Sequence, residues 1–210
     1  EFLSRNVLEC YPKIRNITVA HPGINTHKNK VKENSQNKFS NLKKYISIPN
    51  NSFILLFVAN NFKKKGLPII IKSLEILSNE KLHLIIVGSG NQKTIHIPNS
   101  IKKNIHFLGE TSDINSLYSQ ADLLIHPTLS DTYGMAALEA MAAKLPIIIS
   151  NMQFCGFSEH LNNNQAVILE DPRDANEIAN KIDFLSTSTE KRSDIAKNGY
   201  EKAKLITWEK

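Results

Sequence analysis

The stretch Asp122-Leu-Leu-Ile-His126-Pro127-Thr-Leu-Ser-Asp131-Thr-Tyr-Gly134-Met-Ala-Ala-Leu-Glu139-Ala-Met-Ala142 joins an apolar strand to a helix through a turn that carries an acid. Asp122 to Ile125 reads as the strand, and Pro127 ends it. Ser130 and Asp131 are good caps, so a helix is expected from about Thr132, running in Ala, Leu and Met to Lys144. The backbone amides of Thr132, Tyr133 and Gly134 would then point out of the first turn, where the helix dipole favours an anion such as phosphate. Glu139 lies about two turns along, among Met135, Leu138 and Met141, which brings its carboxylate close to the buried side. On spacing alone a solvated helix glutamate is the ordinary reading.

The same strand-to-helix unit recurs outward in both directions. Phe53 to Ala59 is an uninterrupted apolar strand, followed by Asn60-Asn-Phe-Lys-Lys-Lys65-Gly66 and then Leu67, Ile70, Ile71, Leu74 and Leu77 at helical spacing. Leu82 to Val87 runs into Gly88-Ser-Gly90, and Ile105 to Leu108 runs into Gly109, with Ile114, Leu117, Tyr118 and Ala121 on one helix face beyond. Downstream come a strand over 146–150, a Cys155-Gly156-Phe157 turn into a short helix, and a strand over 166–169. A helix with Ala175, Ile178, Ala179, Ile182 and Leu185 follows, and a last helix over roughly 190–206. Fully apolar strands alternating with amphipathic helices predict an α/β fold, a doubly wound parallel sheet of about six strands covered on both faces.

In such sheets ligands bind beyond the carboxyl ends of the strands. That rule gathers the loops 60–66, 88–90, 109–112, 126–134 and 150–157 on one edge. Alone, Gly88-Ser-Gly90 is a plain turn and Lys63 to Lys65 is solvated surface. Their placement on the same edge as an anion-ready helix start gives both a second meaning.

With 210 residues, 41% of them hydrophobic and 22% charged, the chain has core enough for one domain and not for two full ones. A net charge of +6 permits an anionic partner, but Lys and Asn are dispersed without the clustered Arg and aromatics of a nucleic-acid groove. The two cysteines, Cys10 and Cys155, have neither disulfide-framework nor zinc spacing, so a reducing cytoplasm is the expected compartment. No apolar run reaches the roughly 20 residues of a membrane span, and no secretory leader is recognisable. Residues 2–10 read as helical and 17–20 as a short strand closed by His21-Pro22-Gly23. Residues 26–44 have linker composition, rich in Lys, Asn, Ser and Gln. A start without Met and an end at Trp208-Glu-Lys inside a helical pattern point to a fragment.

Together these residues resemble the family 4 retaining glycosyltransferases, which are built of two Rossmann-like domains with a cleft between them, the GT-B fold. The donor domain of that family has a strand, a loop ending in Lys-Gly, and later an acid, seven residues and a glutamate in a helix start leading to Leu-Glu-Ala-Met-Ala. Here these are Val58 to Gly66 with Lys65, and Asp131 to Ala142 with Glu139, followed by Leu145-Pro146-Ile. The Cys155-Gly-Phe157 turn further resembles the branch that builds lipopolysaccharide cores from UDP-sugars. This sequence departs from the family in having Asp131 where a glutamate is usual, and in lacking the common Arg of the basic loop. Lys63 or Lys64 stands in there as a point charge and not a bidentate fork.

The resemblance implies that residues 1–25 are the remnant of a preceding acceptor domain, 26–50 a linker, 51–188 the donor-binding Rossmann-like domain, and 189–210 a truncated closing helix. It implies transfer of a sugar, with retention, from a nucleotide diphosphate sugar, with UDP as the expected nucleotide, to a glycan or lipid-linked acceptor held by the missing domain. Lys65, with Lys64 and Asn60 in the same loop, would meet the leaving diphosphate. Asp131 would contact the donor sugar, and the backbone at Tyr133, Gly134 and Met135 would contact sugar or phosphate. Glu139 would accept from the ribose hydroxyls, and Leu108 and Gly109 would lie against the base. No Asp-x-Asp pair stands in a suitable loop, so no metal is expected, and no nucleic acid. The family also suggests a place at the cytoplasmic face of the membrane, in peripheral association with it. A nucleotide-sugar epimerase on the same fold, or a non-catalytic nucleotide-sugar-binding module, remains an alternative.

Overall fold

The computed structural model describes residues 22–24 and 39–207. The helix expected over 2–10, the strand over 17–20, most of the linker and Trp208 lie outside the described residues. In chain order the elements are α1 (Leu42–Tyr45), β1 (Phe53–Val58), α2 (Leu67–Leu77), β2 (Leu82–Val87), β3 (Ile105–Gly109), α3 (Ile114–Gln120), β4 (Leu123–His126), α4 (Met135–Ala142), β5 (Ile147–Ser150), β6 (Val167–Leu169), α5 (Ala175–Thr187) and α6 (Thr189–Ala203), with 3-10 turns at Gln92–Thr94, Lys102–Asn104 and Gly156–His160.

The six strands form one sheet in the order β3-β2-β1-β4-β5-β6, and every pair is parallel. The strands are predominantly apolar because both faces are covered. Leu55, Phe57, Leu84, Ile86, Leu123, Ile125 and Ile148 pack under α2 and α5, through Leu67, Ile70 and Leu74 and through Ile178, Ile182 and Leu185. The alternate residues Ile54, Leu56, Ile85, Leu124, Ile147 and Ile149 pack under α3 and α4, through Leu117, Tyr118, Leu138 and Met141. The period of two along each strand divides the core this way. A fully buried Leu or Phe in either layer is worth about 1.5–3 kcal/mol relative to exposure.

Strands are added on one side of β1 up to β3 and on its other side from β4, so the strand order switches between β1 and β4, and this switch point sets where a ligand can sit. The two loops there touch: the Leu129 amide donates to the Lys64 carbonyl at 2.9 Å. Gly66 caps α2 in the left-handed region at φ +87°, and a Cβ on it would lie 2.1 Å from the Pro127 carbonyl oxygen. Only glycine fits at that approach.

Residues 39–50, within the linker expected over 26–50, are not bare connection. Phe39 and Leu42 are buried against the α3 side of the sheet, and Asn41 caps α1 by accepting from the Lys44 amide at 3.0 Å. The Leu42 amide donates to Gln120 Oε1 at 2.7 Å, and Gln120 Nε2 donates to the Phe39 carbonyl. At the other end, Ile24 donates to the Ile206 carbonyl at 3.0 Å, just beyond α6. Among the described residues no helix is long and apolar enough to cross a membrane.

On β2 and β3, His83 Nδ1 lies 3.1 Å from His106 Nε2 with the rings stacked. Burial, then the neighbouring His83, lowers His106 to about 4, and burial followed by the charges of Lys103 and Lys43 lowers His83. Both rings are thus held below the ordinary histidine value, so the unfolded chain takes up these protons first. The pair contributes stability present above about pH 6.5 and lost as pH falls towards about pH 4. The urea midpoint should therefore fall between about pH 7 and pH 5, and less so in His106→Gln. A wild-type midpoint flat over that range would contradict this coupling.

Candidate active site

Asp131 is the hub of the switch-point edge. Its backbone is clamped by the loop after β5, with the Asp131 amide donating to the Phe154 carbonyl at 2.8 Å and the Gly156 amide donating to the Asp131 carbonyl at 3.1 Å. Its carboxylate Oδ1 accepts from the amides of Tyr133 at 3.2 Å and Gly134 at 3.0 Å. Oδ2 accepts from Lys65 Nζ at 2.6 Å and His126 Nε2 at 3.1 Å. Burial alone would raise this carboxyl, but the hydrogen bonds and charges of His126 and Lys65 outweigh it and hold the group well below the usual carboxylate range.

This arrangement corrects the expected helix start. The helix α4 begins at Met135, three residues later than the sequence suggests, after Gly134 at φ +95°. Asp131 does bind amides, as a capping residue would, but those of Tyr133 and Gly134 belong to a turn that precedes the helix. They are therefore turned onto Asp131 and not outward. Ala137 and Leu138 donate to the Gly134 carbonyl, which leaves Met135 and Ala136 as the first-turn amides with no backbone acceptor among the described residues. A side chain at 134 would place its Cβ 2.8 Å from Cys155 Sγ, so the turn fits a glycine alone. The helix also ends at Ala142, two residues short of Lys144.

Lys65 is half-buried and also donates to the Ser130 carbonyl at 3.1 Å. Lys64 is exposed, with its amide capped by Asn61 Oδ1 at 3.0 Å. Tyr133 packs on Phe157 with ring centroids 5.3 Å apart. Cys155 is buried, and burial first, then the charge of Asp131, pushes its thiol up to about 12, which leaves it inert as a nucleophile at neutral pH.

Glu139 lies elsewhere on the same edge, on a cleft of about 550 Å³ whose lining includes Val58, Asn60, Gly88, Glu110 and Thr111. Its Oε2 accepts from the Tyr118 hydroxyl at 3.0 Å, and Oε1 accepts nothing among the described residues. Burial raises the Glu139 carboxyl, against the lowering effect of the Tyr118 bond. Burial, then the charge of Glu139, raises the Tyr118 phenol far above its ordinary value, so it stays a donor. Leu108 and Gly109 do not line this cleft. They line an adjoining one of about 520 Å³, with Phe62, Ser89, Asn91 and Phe107, and the two clefts share Gly88 and Glu110.

The structure thus gathers Lys65, Asp131, Tyr133, Gly134 and Met135 in one cluster, places Asn60 and Glu139 on one cleft, and sets Leu108 and Gly109 on its neighbour. Sequence reasoning gave no role to His126 or Tyr118, whose polar atoms hold the two acids. The available signal was a histidine at the strand end beside Pro127, and a tyrosine on the apolar face of α3. Among the described residues, no group of three or more His, Cys, Asp or Glu side chains is placed to hold a metal ion.

Residues 38–202 match the family model described as glycosyl transferases group 1. The lipopolysaccharide glucosyltransferase WaaG of Escherichia coli K12 is 28% identical over 126 residues, which are 57% of this chain and 33% of that protein. The crystal structure of Anabaena Alr3699/HepE in complex with UDP and glucose superposes with a TM-score of 0.76 at 22% identity, over 90% of this chain and 52% of that one. The C-terminal domain of the group 1 glycosyl transferase LpcC from Francisella tularensis superposes with a TM-score of 0.69 at 22% identity, over 87% of this chain and 97% of that one. The fold is accordingly the Rossmann-like C-terminal half of a GT-B architecture, and the chain spans less than half the length of the first curated relatives it matches.

Proposed function

The chain belongs to the glycosyl transferases group 1 family, and from that premise we propose that it binds a nucleotide diphosphate sugar, with UDP as the nucleotide. It serves transfer of that sugar, with retention, to a glycan or lipid-linked acceptor of the cell envelope, presented by a preceding domain at the cytoplasmic face of the membrane. The observation that carries this reading is the unpartnered Oε1 of Glu139, on a cleft at the same sheet edge as Lys65 and the first-turn amides of α4. A ligand with vicinal hydroxyls at one end and a polyanion at the other matches that layout. WaaG, named as a glucosyltransferase of lipopolysaccharide, and HepE, crystallised with UDP, support the choice of donor.

In this reading Glu139 accepts from the ribose hydroxyls and the base lies towards Leu108 and Gly109. Lys65, with Lys64 and Asn60 in its loop, meets the diphosphate together with the Met135 and Ala136 amides. Asp131 and the backbone around Tyr133 and Gly134 face the donor sugar. Breaking the bond between sugar and diphosphate leaves negative charge on the phosphate oxygens, and fixed donors stabilise that charge without reorganising. The chain's own groups supply this compensation, so the account requires no metal. The test is a thermal-shift panel of UDP, GDP, ADP and CMP without added metal. UDP should raise the melting temperature, adding about 2.7 kcal/mol at 100 times its dissociation constant. A melting temperature unmoved by all four would remove the donor-site reading.

A further inference from the structure

An ionised carboxylate has about four acceptor positions, and Asp131 has a donor in each: the Tyr133 and Gly134 amides on Oδ1, and Lys65 Nζ and His126 Nε2 on Oδ2. As it stands, this acid has nothing to offer a sugar hydroxyl. The four donors are unequal in freedom. The two amides belong to a turn fixed by Gly134 and by the Phe154 and Gly156 backbone bonds. The His126 side chain is 3% exposed at the end of β4, and its carbonyl is met by the Ser150 hydroxyl at 3.4 Å. Lys65 reaches Oδ2 from a neighbouring loop on a flexible four-carbon stem and is 21% exposed.

We propose that His126 is a positioning residue of the donor site: with the Tyr133 and Gly134 amides it fixes the Asp131 carboxylate so that one acceptor position alone, the one held by Lys65, can pass to a hydroxyl of the donor sugar. This rests on the donor-site reading above. When the diphosphate draws the Lys65 ammonium away, Oδ2 is left with one vacant position, and His126 keeps that oxygen from turning. Because the ionised carboxylate only accepts, Nε2 must carry the ring proton in this contact. Diphosphate and sugar recognition are thereby linked through one lysine, and the sugar's bond depends on a histidine that does not touch it.

The experiment is calorimetric titration of the chain with UDP and with UDP-glucose, UDP-galactose and UDP-N-acetylglucosamine, in wild type, H126M, H126Q and D131N. In wild type at least one nucleotide sugar should bind more tightly than UDP. In H126M, which keeps bulk but removes the N–H, that preference should fall roughly tenfold, the usual weight of a hydrogen bond to a charged group. H126Q, which keeps an N–H near the position of Nε2, should restore most of it. A merely structural histidine would weaken all ligands alike and leave the ratio unchanged. An unchanged ratio in H126M, or in D131N should H126M fail to fold, overturns this inference and leaves the donor site standing. A wild type that binds UDP but prefers none of the three sugars over it also overturns the inference alone. A wild type that binds none of the four ligands overturns the reading of the site as one for UDP-sugars, and the inference with it.

Discussion

Under the proposed transfer reaction, Lys65→Ala is expected to lower kcat by roughly 10² to 10³, the usual effect of removing one preorganised stabiliser of transition-state charge. The lysine is already held at the switch point by Asp131 Oδ2 at 2.6 Å and the Ser130 carbonyl at 3.1 Å. It therefore needs only a short excursion to meet a diphosphate beside α4. Its positive charge matters most when the leaving group gains charge, so the loss should fall on kcat. Steady-state kinetics separate the cases: a raised KM with unchanged kcat would make Lys65 a ground-state binder and refute the leaving-group role. In the variant Asp131 keeps its His126, Tyr133 and Gly134 donors, so the carboxylate is not left unpaired and a folded protein is expected.

Glu139→Gln should weaken UDP binding by about 1.5–3 kcal/mol, the range for hydrogen bonds made to a charged group. The substitution keeps a carbonyl oxygen that can accept from the Tyr118 hydroxyl, now bound at 3.0 Å to Oε2, so the packing of α3 on α4 is preserved. What is lost is a carboxylate oxygen able to accept from ribose. Calorimetry on the folded variant reads the loss directly, and an affinity equal to wild type would take Glu139 out of the nucleotide site.

The sheet was legible in the chain because β1, β2, β4 and β5 are buried on both faces and so are apolar runs, broken only by His83 near the start of β2 and by His126 and Ser150 at the ends of β4 and β5. The helix α2 was legible because Gly66, Pro68 and the spacing of Leu67, Ile70, Ile71 and Leu74 agree on one start and one face. The start of α4 was not. Local capping rules treat Ser130 and Asp131 as free to cap whatever follows, whereas Asp131 is also bonded to Lys65, 66 positions earlier by number, and to His126. Those tertiary partners hold its carboxylate over a non-helical turn, and the helix waits for Gly134. The burial of Phe39 and Leu42 was hidden for a similar reason. Two apolar residues among Lys, Asn and Ser show no period, and their place is set by Gln120 on a distant helix. The roles of His126 and Tyr118 depend on partners that only the folded chain brings near, so no spacing rule could have assigned them.

In the proposed site a nucleoside diphosphate lies along this edge with its ribose on Glu139. The most direct test is calorimetric titration of the wild-type chain and Glu139→Gln with UDP and with 2′,3′-dideoxyuridine diphosphate, without added metal. Wild type should bind UDP more tightly than the dideoxy compound by roughly tenfold or more, and this preference should disappear in Glu139→Gln. Equal affinity of the wild type for the two compounds, or a preference that survives in the variant, would contradict this placement.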